Sequence, residues 1–423
     1  MPDPRAVHAQ SSIAPQLKLF IILQLVLLLA CDLTELFCRA MLHLKEPYDY
    51  PYLSTQQSFW DFMTFAIKSH HFHTPAFFTA DPKFPFLYPA PCAVFYQAFF
   101  FFGSLSLLLF LTFIVLTFLI AALLLHRAMK QRGVSTLQAA AFLGFTLLLS
   151  YPMWLDFKQG NIEIGVWLFV ALGVWTFCAN RGYSAAACFG IAGTMKLYPF
   201  LYLGLLLARR KYREVVFAGA VAVFVTIASL WLLGGNDIPG TWHHVLAGVA
   251  TFRTQYALQF RPGEIGFDHS FFALIKCCIL LFHPEVQQYP PQLLNAYVLV
   301  GALAGLILYL LKIRHLPLIN QVLCLCIASI LLPPVSYDYT LMHLYIPWAM
   351  LVLFAQEQWA SRRSVAGLTA ALALLAFLFA PESEMICQSV RFGGQLKAIA
   401  LMALLVVSLK YPFSNLSALA GGL

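Results

Sequence analysis

The chain has 423 residues, of which 61% are hydrophobic and 10% charged, and it carries a net charge of +8. A soluble domain contains roughly 25% charged residues, so this composition excludes a soluble globular protein and indicates one that crosses a membrane repeatedly. The basic residues form short clusters between apolar runs, a pattern that argues against nucleic-acid binding and is typical of cytoplasmic membrane loops. The clusters are Arg127, Lys130 and Arg132; Arg209, Arg210, Lys211 and Arg213; Lys312 and Arg314; and Arg362 and Arg363.

The apolar runs predict an all-α polytopic membrane protein, a single integral membrane domain over residues 1–423 with both termini in the cytoplasm. Because a helix needs about 20 apolar residues to cross a bilayer, about ten runs are assigned as full spans. The segment 184–208 has basic residues at both ends, which favours a re-entrant hairpin with its tip at Lys196 over one crossing helix. The predicted spans lie at 17–37, 104–125, 136–155, 162–179, 215–233, 292–311, 317–333, 339–355, 365–380 and 396–410.

Two long polar segments lie on the predicted outer side of the membrane. The first outer loop, 39–103, is expected to carry short interfacial helices, and the second outer loop covers 234–291. The central spans, 104–233, lie between them, and the C-terminal spans follow over 292–423. All but three of the 18 acidic residues fall on or near the outer side. Since long ordered loops usually carry function, an acid-bearing chamber is predicted there, with 39–103 as the candidate catalytic loop.

Asp61 is the leading candidate for a catalytic side chain in that loop. It lies in the amphipathic run 59–67, where aromatic residues surround a single acid, so its carboxylate is expected to point from a half-buried helix toward a cavity. Partial burial raises the pKa of a carboxyl group and suits it to act as a general base. A solvated loop acid is the commoner alternative. His70, His71 and His73 point in different directions, which favours a solvated or interfacial cluster over a metal site.

Three further positions resist a purely structural interpretation. Gln159 and Asn161 place amide groups where a span begins, and an asparagine can also cap a helix there. Lys196 lies inside an apolar run. An ionisable residue in such a run is a functional-site hypothesis by default and needs an anionic partner.

Arg253, Arg261 and His269 lie among aromatic residues in the second outer loop. A guanidinium group matches a phosphate with two parallel hydrogen bonds, so these residues suit the binding of a lipid phosphate. Ordinary anchoring at the membrane interface explains them equally well.

The order of these segments resembles glycosyltransferase family 87, the polyprenol-phosphate-mannose-dependent mannosyltransferase type within the multispanning GT-C superfamily. The resemblance follows motifs over most of the chain, with departures: Lys158 stands where the family usually has Gly, Phe65 replaces a Tyr, and Tyr337 and its neighbours stand where a histidine pair is common. The matching segments are Asp61-Phe62 with Phe65 for Asp-Phe/Leu-x-x-Tyr, Tyr88-Pro89-Ala90-Pro91 for Tyr-Pro-Pro, Gln159-Gly160-Asn161 for Gln-x-Asn, Lys196-Leu197-Tyr198-Pro199 for Lys-x-Tyr/Phe-Pro, Asp268-His269-Ser270 for Asn-x-Ser, and Pro334-Val335-Ser336 for a Ser/Pro-containing outer turn.

The resemblance implies a GT-C-like bundle that works as an inverting glycosyltransferase in the cell (inner or plasma) membrane. A mannose-like hexose or a pentose would move from a polyprenyl-phosphate sugar to a hydroxyl of a glycan or glycolipid acceptor on the outer face, with Asp61 as the general base. The outer loops contain no Asp-x-Asp pair, so no required metal or other cofactor is predicted. The donor phosphate would be held by Arg253, Arg261, His269 and Lys196, and the substrate pocket would be lined by Tyr88, Gln159, Asn161, Ser270 and Tyr337.

Two other classes of function fit parts of the sequence. A transporter or lipid flippase would use Lys196 and the broken hairpin at the membrane midplane, but no inverted repeat is evident and the acids crowd one side. A silent membrane scaffold would tolerate substitution of Asp61. Which second acid assists Asp61 stays open among Asp32, Glu35, Asp49 and Asp156.

Overall fold

The structure is a computed structural model that describes residues 12–41, 59–79, 86–261, 265–360, 367–381, 385–387 and 390–413. The described chain is predominantly helical, as its apolar runs predict. Up to residue 234 the helices are α1 (Pro15–Met41), α2 (Trp60–Ser69), α3 (Ala76–Thr79), α4 (Ala90–Phe100), α5 (Ser106–Gln131), α6 (Thr136–Leu149), α7 (Tyr151–Gln159), α8 (Glu163–Cys178), α9 (Gly182–Met195), α10 (Leu203–Ala208) and α11 (Tyr212–Gly234), with 3₁₀ turns at Gly103–Leu105 and Tyr198–Tyr202.

The remaining described part of the chain adds further helices and one small antiparallel strand pair. Residues 385–387 pair with residues 390–392 in a two-stranded sheet. The helices are α12 (Ile238–Phe252), α13 (Phe271–Phe282), α14 (Pro290–Leu311), α15 (Leu318–Leu331), α16 (Tyr345–Ala360), α17 (Leu368–Leu378) and α18 (Gly394–Lys410), the strands are β1 (Met385–Cys387) and β2 (Val390–Phe392), and shorter turns lie at Arg253–Ala257 (π), Pro284–Gln288, Ile313–His315 and Asp338–Leu344 (all 3₁₀).

Five helical segments within the described residues are long and apolar enough to cross a membrane. A sixth results if the bent pair of α6 and α7 counts as one span. The chain is therefore a polytopic helical membrane protein, while the prediction of about ten full spans stays a prediction. The five segments are Pro15–Thr34, Gly103–Gln131, Tyr212–Gly234, Pro290–His315 and Asp338–Trp359.

The predicted span at 136–155 is interrupted rather than continuous. α6 ends at Leu149, and α7 continues at an angle of 57° as far as Gln159. The cause is Pro152, which has no N–H to donate to the carbonyl of Leu148 and so breaks the helical ladder. The indole N–H of Trp154 donates to that carbonyl instead, at 3.2 Å. The helix also continues beyond the predicted end at residue 155, into the segment between the predicted spans at 136–155 and 162–179.

Some apolar helices of the bundle are buried by protein, and others expose an apolar surface. In the most apolar window of Asp338–Trp359, 89% of the residues are buried, against 11% in that of Pro290–His315. α9 packs between α8 and α11. The contact with α11 needs a glycine, because a Cβ on Gly190 would lie 2.7 Å from the carbonyl oxygen of Ala218. α17 packs against α1 and α18.

Candidate active site

A cavity of about 1950 Å³ is lined by residues of α2, α7, α10, α12, α14 and α15 and of the segments between them. Part of its lining is a polar cluster, formed by five residues that the sequence had singled out: Asp61, Tyr88, Gln159, Lys196 and Tyr337. A second part is an aliphatic wall from three helices, formed by Leu203 and Leu207 of α10, Ala304 and Leu308 of α14, and Leu325 and Ala328 of α15. The cavity thus offers polar groups and apolar surface in one space, which suits an amphiphilic ligand.

The aromatic face of α2 is held by a cluster of rings, which leaves Asp61 on the cavity side. Phe62 is 1% exposed and stacks between Phe100 and Phe110, with ring centroids 4.6 Å and 4.7 Å away. Phe65 is also buried and lies 5.2 Å from the ring of Tyr96. Burying such rings stabilises the position of a short helix that could not persist alone.

The end of α7 docks directly onto α2, and Gly160 makes this approach feasible. Gly160 ends α7 in the left-handed conformation, with φ of 63°, which favours glycine. A Cβ at this position would lie 3.0 Å from the Cβ of Phe62. The backbone N–H of Phe59 donates to the carbonyl of Lys158 at 2.5 Å, and the Tyr96 hydroxyl donates to that of Gly160 at 3.0 Å.

Asn161 connects this junction to the acid. Its Oδ1 accepts the backbone N–H of Glu163, the first residue of α8, at 3.0 Å in a local turn of the kind that asparagine side chains form. That bond turns its Nδ2 toward Asp61, where it donates to Oδ2 at 2.5 Å, and it also lies 3.5 Å from the Tyr88 hydroxyl. Asn161 is fully buried and does not line the cavity itself. It orients the carboxylate that does.

The surroundings of Asp61 fit a proton acceptor. Burial raises the pKa of Asp61 above its ordinary value, and the hydrogen bond from Asn161 and the positive charge of Lys196 oppose this rise only in part. Burial, with a contribution from the charge of Asp61, also raises the pKa of Tyr88 well above its ordinary value. Burial thus favours the protonated form of Tyr88 and increases the basicity of the Asp61 carboxylate.

Lys196 lies where the helical hydrogen-bonding pattern is interrupted. α9 ends at Met195, and Lys196 has an extended backbone before the 3₁₀ turn at Tyr198–Tyr202. Its ammonium lies 4.9 Å from the centre of the Tyr339 ring and 5.8 Å from that of Tyr88, as in cation–π contacts. It also donates to Oε2 of Glu163. The anionic partner predicted for this lysine is thus confirmed.

Glu163 and His343 are members of the site that sequence reasoning missed. Oε1 of Glu163 lies 2.6 Å from Nε2 of His343, and the Tyr198 hydroxyl lies 3.0 Å from the same nitrogen. Both side chains are fully buried. A signal for His343 was available, because it is an ionisable residue inside a predicted span, like Lys196. Glu163 lies at the start of the predicted span 162–179, so the same signal was available for it.

A second polar network lies behind Tyr337, and it contains His269. Lys397 of α18 donates to Oδ1 of Asp338 at 2.9 Å, and Nδ1 of His269 lies 3.4 Å from the same oxygen. Nε2 of His269 lies 3.1 Å from the Thr340 hydroxyl. His269 is fully buried and is not among the cavity-lining residues, whereas Asp338 and Thr340 are. Lys397 was also missed, although it too lies in a predicted span.

Ser270 has a structural position in the same region. Its hydroxyl accepts the backbone N–H of Ala273 at 3.0 Å and so caps α13. Oδ1 of Asp268 accepts the backbone N–H groups of Ser270 and Ser336, each at 2.9 Å. The motif Asp268-His269-Ser270 therefore joins the start of α13 to the segment that carries Tyr337. Ser270 itself does not line the cavity.

The two predicted phosphate-binding arginines lie outside the lining of the cavity. Arg253 donates at 2.9 Å to Oδ1 of Asn295, an exposed residue of α14. Neither Arg253 nor Arg261 lines the cavity. The candidate second acids that the structure describes do not line the cavity either, although Asp156 interacts electrostatically with Asp61 and Lys196. Asp32 is exposed on α1 and Asp156 is buried in α7 outside the lining, while Asp49 and the side chain of Glu35 lie outside the described residues.

Comparison with known families gives one match that covers more than half of the chain. The family model described as "Glycosyltransferase family 87" matches residues 86–334. This range contains Tyr88, Gln159, Asn161 and Lys196, and Asp61 precedes it. No curated protein gives a significant match.

Proposed function

The chain belongs to glycosyltransferase family 87, and we therefore propose that it transfers a mannose-like hexose or a pentose from a polyprenyl-phosphate sugar to a hydroxyl acceptor with inversion at the anomeric carbon. The acceptor is a glycan or glycolipid. The observation that carries this proposal is the presence of Asp61 and Lys196 in one cavity that also has an aliphatic wall. A base, a cation and an apolar surface are what a lipid-phosphate sugar donor and a hydroxyl acceptor require.

The proposed reaction is a single displacement. Asp61 takes the proton of the acceptor hydroxyl while its oxygen forms a bond to the anomeric carbon. The bond between that carbon and the phosphate oxygen breaks, and the electron pair leaves with the phosphate. Asp61 ends protonated, the lipid phosphate gains the negative charge, and Lys196 stabilises that charge. No metal is needed to balance this step.

The remaining residues support binding in this proposal. Tyr88, Gln159 and Tyr337 lie in the lining, where their hydroxyl and amide groups suit contacts with sugar hydroxyls. The aliphatic wall receives the isoprenoid chain, which enters sideways from the bilayer. Phosphate contacts by Arg253, Arg261 and His269 stay predictions, since none of the three lines the cavity.

The membrane orientation belongs to the same proposal. The basic clusters of the sequence support a cell-membrane protein with both termini in the cytoplasm, and the cavity would then open toward the outer leaflet. The likeness to the GT-C superfamily and an arrangement of ten full spans are likewise parts of the proposal. They are supported by the order of the apolar runs and by the family match.

The experiment that tests the reaction is a transfer assay with protein purified into lipid nanodiscs. A set of radiolabelled polyprenyl-phosphate sugars is offered as donors, with native membrane lipids and glycans as a mixed acceptor pool. Wild type is expected to transfer at least one sugar, and Asp61→Asn is expected to lower the rate by about 10²–10⁴-fold, the usual contribution of a general base.

A matched control is Asp32→Asn, which removes an exposed carboxylate from α1 and is expected to leave the rate unchanged. Equal rates in wild type and a folded Asp61→Asn protein would remove Asp61 from its role. The transporter alternative predicts a different result, namely no transfer from any donor, together with lipid or solute flux in liposomes that Lys196→Met abolishes.

A further inference from the structure

The polar cluster contains a lysine whose positive charge is already balanced inside the protein. Lys196 donates to Oε2 of Glu163, and the side chain of Lys196 is 15% exposed whereas that of Glu163 is inaccessible. Any anion that reaches Lys196 from the cavity therefore meets a cation that an internal carboxylate already holds. The two anions compete for the same ammonium.

The carboxylate of Glu163 is held in place by other hydrogen bonds, whereas the side chain of Lys196 is flexible. Oε1 of Glu163 is held by Nε2 of His343 at 2.6 Å, and its backbone N–H by Oδ1 of Asn161 at 3.0 Å. His343 in turn contacts the Tyr198 hydroxyl. Lys196 ends a flexible four-carbon stem and borders the cavity. It can turn toward a ligand while Glu163 keeps its other hydrogen bonds.

The chemistry of the proposed reaction makes this competition consequential. The donor contains a phosphodiester with one negative charge, and the lipid product is a phosphomonoester, whose second ionisation near pH 6 gives it nearly two negative charges at pH 7. The product would therefore bind a free lysine more tightly than the donor does. Tight binding of the product slows turnover, since product release often limits the rate of an enzyme.

We propose that Glu163 is a positioning residue that competes with the lipid phosphate for Lys196 and thereby promotes release of the polyprenyl-phosphate product. This inference rests on the proposed function, because it assigns Lys196 to the donor phosphate. His343 and Tyr198 contribute indirectly by holding Glu163 in place. Loss of the contact between Lys196 and Glu163 adds the same cost to binding of donor and product, and direct repulsion by the Glu163 carboxylate acts more strongly on the more highly charged product.

The test uses the full-length protein in nanodiscs of zwitterionic lipid. A fluorescent polyprenyl phosphate and the matching uncharged polyprenol are titrated against wild type, Glu163→Gln, Lys196→Met and the double variant. Glu163→Gln keeps the shape of the side chain and removes its charge. It is expected to bind polyprenyl phosphate about tenfold more tightly, the usual scale of one hydrogen bond to a charged group, and to bind polyprenol as wild type does.

The other variants complete the cycle. Lys196→Met is expected to bind polyprenyl phosphate more weakly than wild type, and the double variant is expected to match Lys196→Met, because Glu163 acts only through the lysine. Glu163→Gln is also expected to lower kcat while lowering the donor KM, a pattern that general damage to the fold does not produce. Thermal unfolding of each variant checks folding. If Glu163→Gln does not fold, Glu163→Asp, which cannot reach Lys196 as closely, is expected to change the affinity in the same direction.

The inference is overturned if folded Glu163→Gln binds polyprenyl phosphate no more tightly than wild type does. Failure of the inference and failure of the proposed function give different results. Sugar transfer by wild type with equal lipid affinities in wild type and Glu163→Gln removes the competition and leaves the reaction. Tighter phosphate binding by Glu163→Gln without sugar transfer by wild type supports the competition and removes the reaction.

Discussion

Asn161 links the orientation of Asp61 to its charge. Its Oδ1 is occupied by the backbone N–H of Glu163, so its Nδ2 faces the carboxylate of Asp61 at 2.5 Å. A donor in this position favours the charged form of the acid and opposes the effect of burial. One amide thus sets both the direction and the basicity of the proposed base.

The pH dependence of sugar transfer is predicted from this arrangement. Because burial raises the pKa of Asp61, the rate is expected to fall on acidification at a pH above the ordinary value of about 3.9 for an aspartate. Asn161→Ala removes the hydrogen bond that favours the carboxylate, so it raises the pKa further and moves the acidic limb to higher pH. The measurement is the pH profile of kcat/KM for both proteins.

A matched control for this profile is Asn295→Ala. It removes an amide of α14 that contacts Arg253 and does not change the hydrogen bond to Asp61. Its acidic limb is expected to coincide with that of wild type. If the acidic limb of the pH profile of kcat/KM does not move in a folded Asn161→Ala protein, the role given to Asn161 is contradicted.

The individual members of the site were only partly predictable from the sequence. Lys196 was found because a charge in an apolar run is conspicuous, and its need for an anionic partner is confirmed by Glu163. The identity of that partner was not predictable, since 33 residues separate the two along the chain and only the packing of α8 beside α9 brings them together. His343 and Lys397 satisfy the rule that identified Lys196, so they were available in principle.

At the level of secondary-structure elements, the junction of α7 and α2 depends on one glycine. Gly160→Ala is expected to destabilise the protein by about 1–2 kcal/mol, the usual penalty of the left-handed conformation for a residue with a Cβ, and more if Phe62 does not move. It should also lower transfer, because α2 carries Asp61. Thermal unfolding together with the transfer rate provides the measurement.

Gly219→Ala is the control for this substitution. Gly219 lies within α11, its backbone is helical, and a Cβ added there would meet nothing within 4 Å. Alanine favours a helix over glycine by up to about 1 kcal/mol, so this variant is expected to be as stable as wild type or more stable. Equal losses of stability at positions 160 and 219 would argue against a special role for the junction.

The contact between α18 and the 3₁₀ turn at Asp338–Leu344 depends on a buried ion pair. The side chains of Lys397 and Asp338 are 3% and 2% exposed. Lys397→Met leaves the carboxylate of Asp338 buried without this cation, and removal of one partner of such a pair typically destabilises a protein by about 3–5 kcal/mol. The measurement is the unfolding temperature and the yield of folded protein.

Adding Asp338→Asn to Lys397→Met is expected to recover part of the lost stability, because the buried negative charge is then removed as well. A double variant that is less stable than Lys397→Met alone would show that the ion pair is not the main source of the effect.

Helix positions were predicted well where an apolar run has clear limits, and poorly where one run holds two helices. The predicted span at 215–233 corresponds to α11, Tyr212–Gly234. The predicted span at 136–155 is two helices, because Pro152 interrupts the hydrogen bonds without interrupting the hydrophobicity. The hydropathy of the sequence does not change at such a break, although Pro152 itself is present in the sequence.

For the whole molecule, the proposed orientation predicts opposite sides for the two ends of α11. This helix has 23 residues and is therefore about 34 Å long, enough to cross a bilayer. Single cysteines at positions 213 and 237 would be tested in a variant that lacks the native cysteines and retains transfer. An impermeant maleimide is expected to label position 237 in intact cells, and position 213 only after the membrane is opened.

Labelling of position 213 alone in intact cells would invert the proposed orientation and place the cavity on the cytoplasmic side. Labelling of both positions would mean that α11 does not cross. Both residues are exposed in the structure, so a lack of reagent access through burial does not account for either result.

The number of membrane-crossing helices does not follow from composition alone. Several predicted spans coincide with helices shorter than 18 residues, such as α8 with 16 residues and α15 with 14. A helix of 16 residues is about 24 Å long, less than the apolar thickness of about 30 Å. Many residues of both helices are buried by protein, so burial in the bundle and crossing of the membrane both account for their apolar sequences. The class of protein was therefore predictable, whereas the count of about ten spans stays a prediction.

The aliphatic wall has a practical consequence for the handling of this protein. A detergent molecule combines a polar head with a flexible alkyl tail, and the cavity combines a polar cluster with an aliphatic wall in about 1950 Å³. Micellar detergent, present in large excess over any lipid, would occupy the same space and act as a competitive inhibitor. Extraction could then yield a folded protein with little turnover, whose activity returns when the surfactant is exchanged for bilayer lipid.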